Sequence, residues 1–309
     1  MTRAVVFAYH DVGVRCLSVL LARGVDVALV VTHDDDPAER IWFESVGELA
    51  RRHDVPVVTP ASAKDGELAS RIATIDPEFI FSFYYRRMIP ESVLRLARRG
   101  ALNMHGSLLP RYRGRSPVNW AILNGETETG VTLHRMTARA DAGAVVGQEA
   151  IAILPDDVAL DVFRKVTCAA ERLLDRTLPA LVAGSAQAVP QSEALATTFG
   201  GRKPEDGLID WRRPAAAVHN LVRAVAPPFP GAFTTLRGET VFVHRTVRVA
   251  TAPNRATPLH LHGEGDRCFA VCGDGQTLRL VDAAKDGVPL DLRLLSRSIA
   301  AGPLPLIAP

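Results

Sequence analysis

Residues 4–32 read AVVFAYHDVGVRCLSVLLARGVDVALVVT, and this stretch decides the fold. The run AVVFAY, from Ala4 to Tyr9, is too short for an ordinary helix and has the length of a strand buried on both faces. From about Val12 to Arg23 the pattern is helical, and a second β-rich run, DVALVVT, occupies 26–32. The cadence continues with a helix over 41–53, the strand PVVT at 56–59, a helix around 65–74, the strand FIFSFYY at 79–85, a short helix near 91–98 and the strand ALNMH at 101–105. Strand, helix and strand at this spacing imply right-handed crossovers and a parallel sheet with helices on both faces. Ligands are then expected at the loops beyond the carboxyl ends of the strands.

The rhythm changes after residue 116. Ser116 and Pro117 are placed as N-cap and first residue of a helix that Gly125 stops, and strand-like GVTLHRM (130–136) and AVVGQEAIAI (144–153) follow. From Asp157 to about Val182, apolar residues at helical spacing predict a long amphipathic helix packed on the sheet. The run FGGRKP, Phe199 to Pro204, reads as a linker, which sets domains at 1–199 and 200–309. In the second domain a short helix over 214–225 precedes strands at 231–236, 239–249, 268–272 and 277–283. Short strands separated by glycine turns suggest a small open β-barrel of the oligonucleotide/oligosaccharide-binding (OB) type, with a β-sandwich fragment as the alternative. The last dozen residues, rich in Pro and Ala, are expected to form a loosely held tail.

With 309 residues, 47% hydrophobic and 23% charged, the composition is globular, which excludes a disordered or fibrous chain. The balance of 36 basic and 34 acidic residues is too even for a protein devoted to holding a nucleic-acid backbone. Residues 200–309 carry 14 basic and 10 acidic side chains, a tilt too small to mark a nucleic-acid domain. Cys16, Cys168, Cys268 and Cys272 match neither a zinc site nor a disulfide framework, and reduced, mostly buried thiols are expected. With no secretory segment at its start and no run of about 20 apolar residues, the chain is expected to be a soluble cytoplasmic protein that binds neither membrane nor nucleic acid.

After the first strand comes His10-Asp11-Val12-Gly13, one glycine where a dinucleotide fingerprint needs three. No P-loop and no G-x-S-x-G elbow occurs, which demotes dehydrogenase, kinase and esterase. Asp11 is expected to cap the first helix and His10 to be packed in the loop. The dense polar cluster follows ALNMH. Asn103 and His105, two apart on a strand, project to the same side. An amide beside an imidazole at a strand's carboxyl end offers an oxyanion donor and a general acid/base, as attack of an amine on an acyl carbon requires; turn hydrogen bonding is the alternative. A second polar patch, RMTARADAG from Arg135 to Gly143, follows another strand and brings in Asp141. A carboxylate there would raise the histidine's pKa toward neutrality or above.

The string HGSLLPRYRGRSPVNWAILNGETETGVTLHRM, with Asn103 before it and ADAG after it, resembles the signature of the 10-formyltetrahydrofolate-dependent formyltransferases. The resemblance implies a Rossmann-like, mostly parallel formyltransferase sheet with a C-terminal OB-like barrel. It makes Asn103 the transition-state stabiliser, His105 the proton carrier and Asp141 the residue that tunes it, with no metal. The formyl donor, 10-formyltetrahydrofolate, would be held by Arg87, Met88, Ile89, Arg115 and the loop Thr137, Ala138, Arg139, Ala140, Asp141. The chain departs from the family pattern at Arg87, often His, and at Phe229, where Trp is common.

Within the family, VVFAYHD, FSFYYR and RAVAPPFPGAF most resemble the formyltransferase half of the bifunctional enzymes acting on UDP-4-amino-4-deoxy-L-arabinose, on the way to modified lipid A. The other half of those enzymes is a sugar-acid dehydrogenase, so a separate protein supplying that step is an implied partner. The family's alternatives are initiator methionyl-tRNA, other nucleotide aminosugars and the purine-pathway substrate; a folate or nucleotide-sugar binding module without activity is the alternative from another class. The members acting on tRNA carry a basic loop after the second strand, whereas Asp34, Asp35 and Asp36 here would each repel phosphate by around a kcal/mol. Tyr84, Tyr85 and Arg86 are candidates to clamp uracil and its diphosphate, and Arg111, Arg113 and Arg115 to hold a diphosphate or the folate's glutamate. His260 and His262 lack a third ligand, so no metal is expected there.

Overall fold

The computed structural model describes residues 2–37, 39–249, 259–300 and 302–306. They form two compact units, Met1–Pro117 with Glu128–Ala152 and Phe163–Gly200, and Val118–Thr127 with Ile153–Val162 and Gly201–Pro309. The excursions 118–127 and 153–162 thus cluster with the second unit, although they precede residue 200 in sequence.

The first unit runs β1 (Arg3–Ala8), α1 (His10–Ala22), β2 (Asp26–Val31), α2 (Val46–Arg52), β3 (Val57–Val58), α3 (Gly66–Ile75), β4 (Phe79–Phe83), α4 (Glu91–Leu94) and β5 (Ala101–His105). After β6 (Arg113–Gly114) comes α5 (Pro117–Leu123), which falls almost wholly in the second unit's excursion 118–127; the first unit resumes with β7 (Glu128–Arg135), β8 (Val145–Ala152), α6 (Ala159–Ala183), whose first turn also clusters with the second unit, and β9 (Thr198–Phe199). The main sheet is ordered β3-β2-β1-β4-β5-β7-β8. It is parallel from β3 to β5 and antiparallel at β5–β7 and β7–β8. The chain builds outward from β1 to β3 and then restarts at β4 on the other side of β1, so the strand order reverses there and opens a crevice beyond the strand ends. β5, which carries Asn103 and His105, is the next strand along.

Apolar runs explain the strands. Ala4, Val5, Val6, Phe7 and Ala8 are fully buried, and so are Leu29, Val30, Val31, Ile80, Phe81 and Phe83. On one face Val5, Phe7, Leu29, Val31 and Ile80 pack with Leu68 and Ile72 of α3 and Val93 of α4. α6 buries Val166, Leu173, Leu174, Leu178 and Leu181, each worth about 1.5–3 kcal/mol as a buried side chain. Its exposed edge meets α1 through two bidentate pairs, Arg15 with Glu171 and Arg23 with Asp175.

Four boundaries differ from the sequence expectation. The expected helix over 41–53 begins only at Val46, capped by the Ser45 hydroxyl accepting from the Glu48 amide, because Trp42 and Phe43 instead pack against the His10 ring. Asp11 does not cap α1: the helix starts at His10 with Tyr9 at the cap, and the Asp11 carboxylate accepts from the Glu44 amide at 2.8 Å. β4 stops at Phe83 because Tyr84 takes a left-handed backbone, φ +56°. Phe199 is no linker residue, since it pairs in β9 with β6 and stacks on Tyr112 at 5.1 Å.

The second unit contains α7 (Ala215–Val225), β10 (Ala232–Leu236), β11 (Glu239–Val249), β12 (His260–Glu264), β13 (Arg267–Val271), β14 (Thr277–Lys285), β15 (Val288–Pro289), α8 (Leu292–Ile299) and β16 (Leu304–Pro305). Its curled antiparallel sheet, a half-barrel, is ordered β10-β11-β14-β13-β12-β16, with β15 on β14. Trp211 is buried in it and donates its indole N–H to the Thr234 hydroxyl at 2.9 Å. The expected loose tail is corrected within the described residues: β16 pairs with His260 and Leu261, and Ile299 and Leu306 are buried. Cys16, Cys268 and Cys272 are buried free thiols and Cys168 is an exposed one. Among the described residues no helix is long and apolar enough to cross a membrane.

Candidate active site

β5 ends in the sequence Asn103-Met104-His105, with Met104 buried on the opposite side. Pairing with antiparallel β7 sets Asn103 directly across from His134, and Asn103 Nδ2 lies 3.1 Å from His134 Nε2. The loop after β5 returns the Tyr112 carbonyl to the histidine, where it accepts from His105 Nε2–H at 2.8 Å. The other ring nitrogen, Nδ1, faces Asp141 Oδ1 at 3.5 Å, and that same oxygen is 3.6 Å from His134 Nε2. Asp141 Oδ2 accepts the Gly114 amide at 2.9 Å.

A buried hydrogen-bond net pins this loop. Ser107 donates to the Arg111 carbonyl at 2.7 Å, and Thr132 donates to the Ser107 carbonyl at 2.6 Å. Gln148 reaches across from β8 to the Leu109 carbonyl at 2.7 Å. With its backbone polar groups satisfied inside the protein, the loop presents one arrangement rather than many.

The electrostatics separate two buried groups. Burial alone would raise the Asp141 carboxyl, but His105 and the Gly114 N–H favour its charged form and hold it at about 2. Burial pushes the His105 imidazole below its ordinary value, against the pull of Asp141 and the Tyr112 carbonyl. The expectation that Asp141 lifts His105 to neutrality or above is therefore corrected. The carboxylate acts in the expected direction, and desolvation of the imidazole outweighs it.

The sequence-predicted ligand residues lie in loops beyond β4, β5 and β7, with differing surroundings. Met88 is exposed, Ile89 is buried, and Arg87 donates to the Pro60 carbonyl at 2.5 Å. Arg111 and Arg115 are exposed, and so are Thr137, Ala138, Arg139 and Ala140. Arg86 is paired with Glu39 and lies over the Tyr9 ring at 4.7 Å. Tyr85 stacks on His33 at 4.2 Å. Among the described residues the buried Tyr84 hydroxyl has no hydrogen-bond partner, and it abuts Gly106, where an added Cβ would sit 2.0 Å away. Arg113 is not an open loop arginine: its guanidinium is buried and bonded to Gln191 and Glu193.

His134, Ser107, Thr132 and Gln148 were not singled out by sequence. For His134 the available signal was its place on an alternating strand ahead of the RMTARADAG patch. Among the described residues no group of three or more His, Cys, Asp or Glu could hold a metal ion.

The chain matches the family described as Formyl transferase over residues 12–178, and Formyl transferase, C-terminal domain, over 202–289. An N-formyltransferase from Helicobacter canadensis, solved with folinic acid and dTDP-3-aminofucose, shares 18% identity at a TM-score of 0.70, covering 91% of this chain and 99% of that one. WlaRD, a sugar 3N-formyl transferase solved in the presence of dTDP and 5-N-formyl-THF, shares 18% at 0.72, covering 93% and 98%. Glycinamide ribonucleotide transformylase 1 from Symbiobacterium toebii shares 22% at 0.53, covering 62% and 95%. At such identities the likeness is one of fold. The family matches go further, since the first alone spans more than half of the sequence: this chain belongs to the formyl transferase family.

Proposed function

We propose that the protein N-formylates the 4-amino group of UDP-4-amino-4-deoxy-L-arabinose with 10-formyltetrahydrofolate, a step toward modified lipid A and polymyxin resistance. The observation that carries formyl transfer is the convergence of Asn103, His105 and Asp141 at the end of β5. In the reaction the acceptor amine forms a bond to the formyl carbon, the bond from that carbon to N10 of the folate breaks, and the proton lost by the amine ends on N10. The Asn103 amide donates to the oxyanion of the tetrahedral intermediate. His105 carries the proton, its charged form stabilised by Asp141 and the Tyr112 carbonyl. The folate would lie along Arg87, Met88, Ile89, Arg115 and the loop 137–141. Folate ligands in related structures support that donor.

A nucleotide sugar is favoured as acceptor by two observations. Relatives of the same fold were solved with a dTDP-aminosugar or dTDP. The loop Asp34 to Asp36 is exposed and acidic, which opposes a tRNA acceptor stem. The arabinose itself rests on the resemblance of VVFAYHD, FSFYYR and RAVAPPFPGAF.

Side-by-side formylation of UDP-4-amino-4-deoxy-L-arabinose, a dTDP-4-aminohexose and methionyl-tRNA at one donor concentration tests the acceptor. A preference for the arabinose is expected. A tenfold higher kcat/KM for either competitor, about 1.4 kcal/mol of transition-state binding, would replace the acceptor and leave formyl transfer in place.

A further inference from the structure

Asp141 takes a left-handed backbone conformation, φ +53°, sparsely populated by residues other than glycine. Such a conformation persists where its surroundings over-determine it. The surroundings here are built by a residue 50 positions away, Gln191, in the irregular segment between α6 and β9. Gln191 Nε2 donates to the Asp141 carbonyl at 2.8 Å and to the Gly143 carbonyl at 2.7 Å, using both amide hydrogens on the same turn. Its Oε1 accepts from Arg113 Nε at 3.1 Å and Nη2 at 2.8 Å.

Arg113 is braced in turn by Glu193, at 2.8 and 3.1 Å, and Glu193 also receives Arg139 at 2.9 Å from the exposed part of the Asp141 loop. The next residue after Arg113 is Gly114, whose amide holds the Asp141 carboxylate. Backbone and carboxylate of Asp141 are thus gripped by one assembly, drawn together where β6 pairs with β9.

We propose that Gln191, braced by Arg113 and Glu193, is a positioning residue for formyl transfer, setting the Asp141 carboxylate at its distance from His105. This rests on the reading of Asn103, His105 and Asp141 given above. Asp141 stabilises an imidazolium only while it stays close, because the attraction falls with distance and a loosened loop admits water. Arg113, on this account, acts through Gln191 rather than on a diphosphate.

Gln191→Met keeps the side-chain length and removes both donors. The first readout needs no substrate: the His105 imidazole is titrated by its Cε1–H NMR signal in the free protein. Facing that ring are Asp141, His134 and the Tyr112 carbonyl, with the Arg113–Glu193 pair behind Asp141. The midpoint is expected to fall by about half a unit, in the direction Asp141→Asn moves it, and the double variant to lie no lower than Asp141→Asn alone. The second readout is kinetic. With whichever acceptor the wild type uses, kcat is expected to fall about 10-fold while the acceptor KM changes less than about twofold, again without adding to Asp141→Asn.

Glu193→Ala, at the exposed end of the brace, should act in the same direction with smaller size, and it stands in if Gln191→Met does not fold. An unmoved midpoint, or the same loss of kcat repeated on top of Asp141→Asn, would overturn the proposal. Because the titration uses no acceptor, a wild type that formylates no nucleotide sugar would defeat the functional reading and leave this one to be decided.

Discussion

Asn103 and His134 meet across two antiparallel strands, amide nitrogen to ring nitrogen at 3.1 Å, and the direction of that contact fixes the amide. His134 Nδ1–H donates to the Arg135 carbonyl at 2.8 Å, so its Nε2 is the lone-pair atom that accepts from Asn103. One amide hydrogen is held there, and the second remains for an oxyanion. His134→Ala should therefore lower kcat by about 10-fold through a freely turning Asn103, against about 100-fold or more for Asn103→Ala. Steady-state kinetics on both variants decide it; a His134→Ala enzyme with wild-type kcat would remove the orienting role.

Asp141→Asn removes the carboxylate that favours protonated His105. The imidazole, already depressed by burial, should fall further, so the acidic limb of the pH profile moves to lower pH. The rate should also drop by about 100-fold, since the imidazolium loses its counter-charge. The pH dependence of kcat/KM reads both changes. A variant with wild-type rate and profile would mean that Asp141 only shapes its loop.

His10 predicts acid sensitivity of the fold. Its ring stacks on Phe43 at 3.9 Å, and burial, helped by Arg86, pushes its pKa down to about 3 from 6.5. The folded state therefore prefers neutral His10. That contribution is complete above pH 6.5 and is lost as pH falls toward 3, at up to about 1.4 kcal/mol per pH unit. His10→Asn, which tolerates the left-handed φ of +68° at this position, should flatten the decline between pH 6.5 and pH 4. Urea unfolding across that range measures it, and an equally steep decline in the variant would assign the acid sensitivity elsewhere.

The parts of the fold that were legible in the sequence are those set by local pattern. ALNMH is a strand over its full predicted length because its apolar residues are buried while Asn103 and His105 share the side opposite Met104. The nearness of Asp141 to His105 was legible from two polar patches that each follow a strand. His134 was not, because a histidine on an apolar strand carries no mark of its cross-strand neighbour. Gln191 lies in a segment with no periodicity, so its bonds to the Asp141 loop exist only in the tertiary structure. The last residues misled for a related reason: Leu304 and Pro305 have little strand preference, and their strand exists because the edge at His260 and Leu261 is there to pair with.

The most direct measurement follows a labelled formyl group from 10-formyltetrahydrofolate to UDP-4-amino-4-deoxy-L-arabinose, with wild-type protein and with Asn103→Ala and His105→Ala. One N-formylated sugar is expected for each tetrahydrofolate released, with a fall of about 100-fold or more in each variant. Release of tetrahydrofolate without labelled sugar, or wild-type rates in both variants, would contradict it.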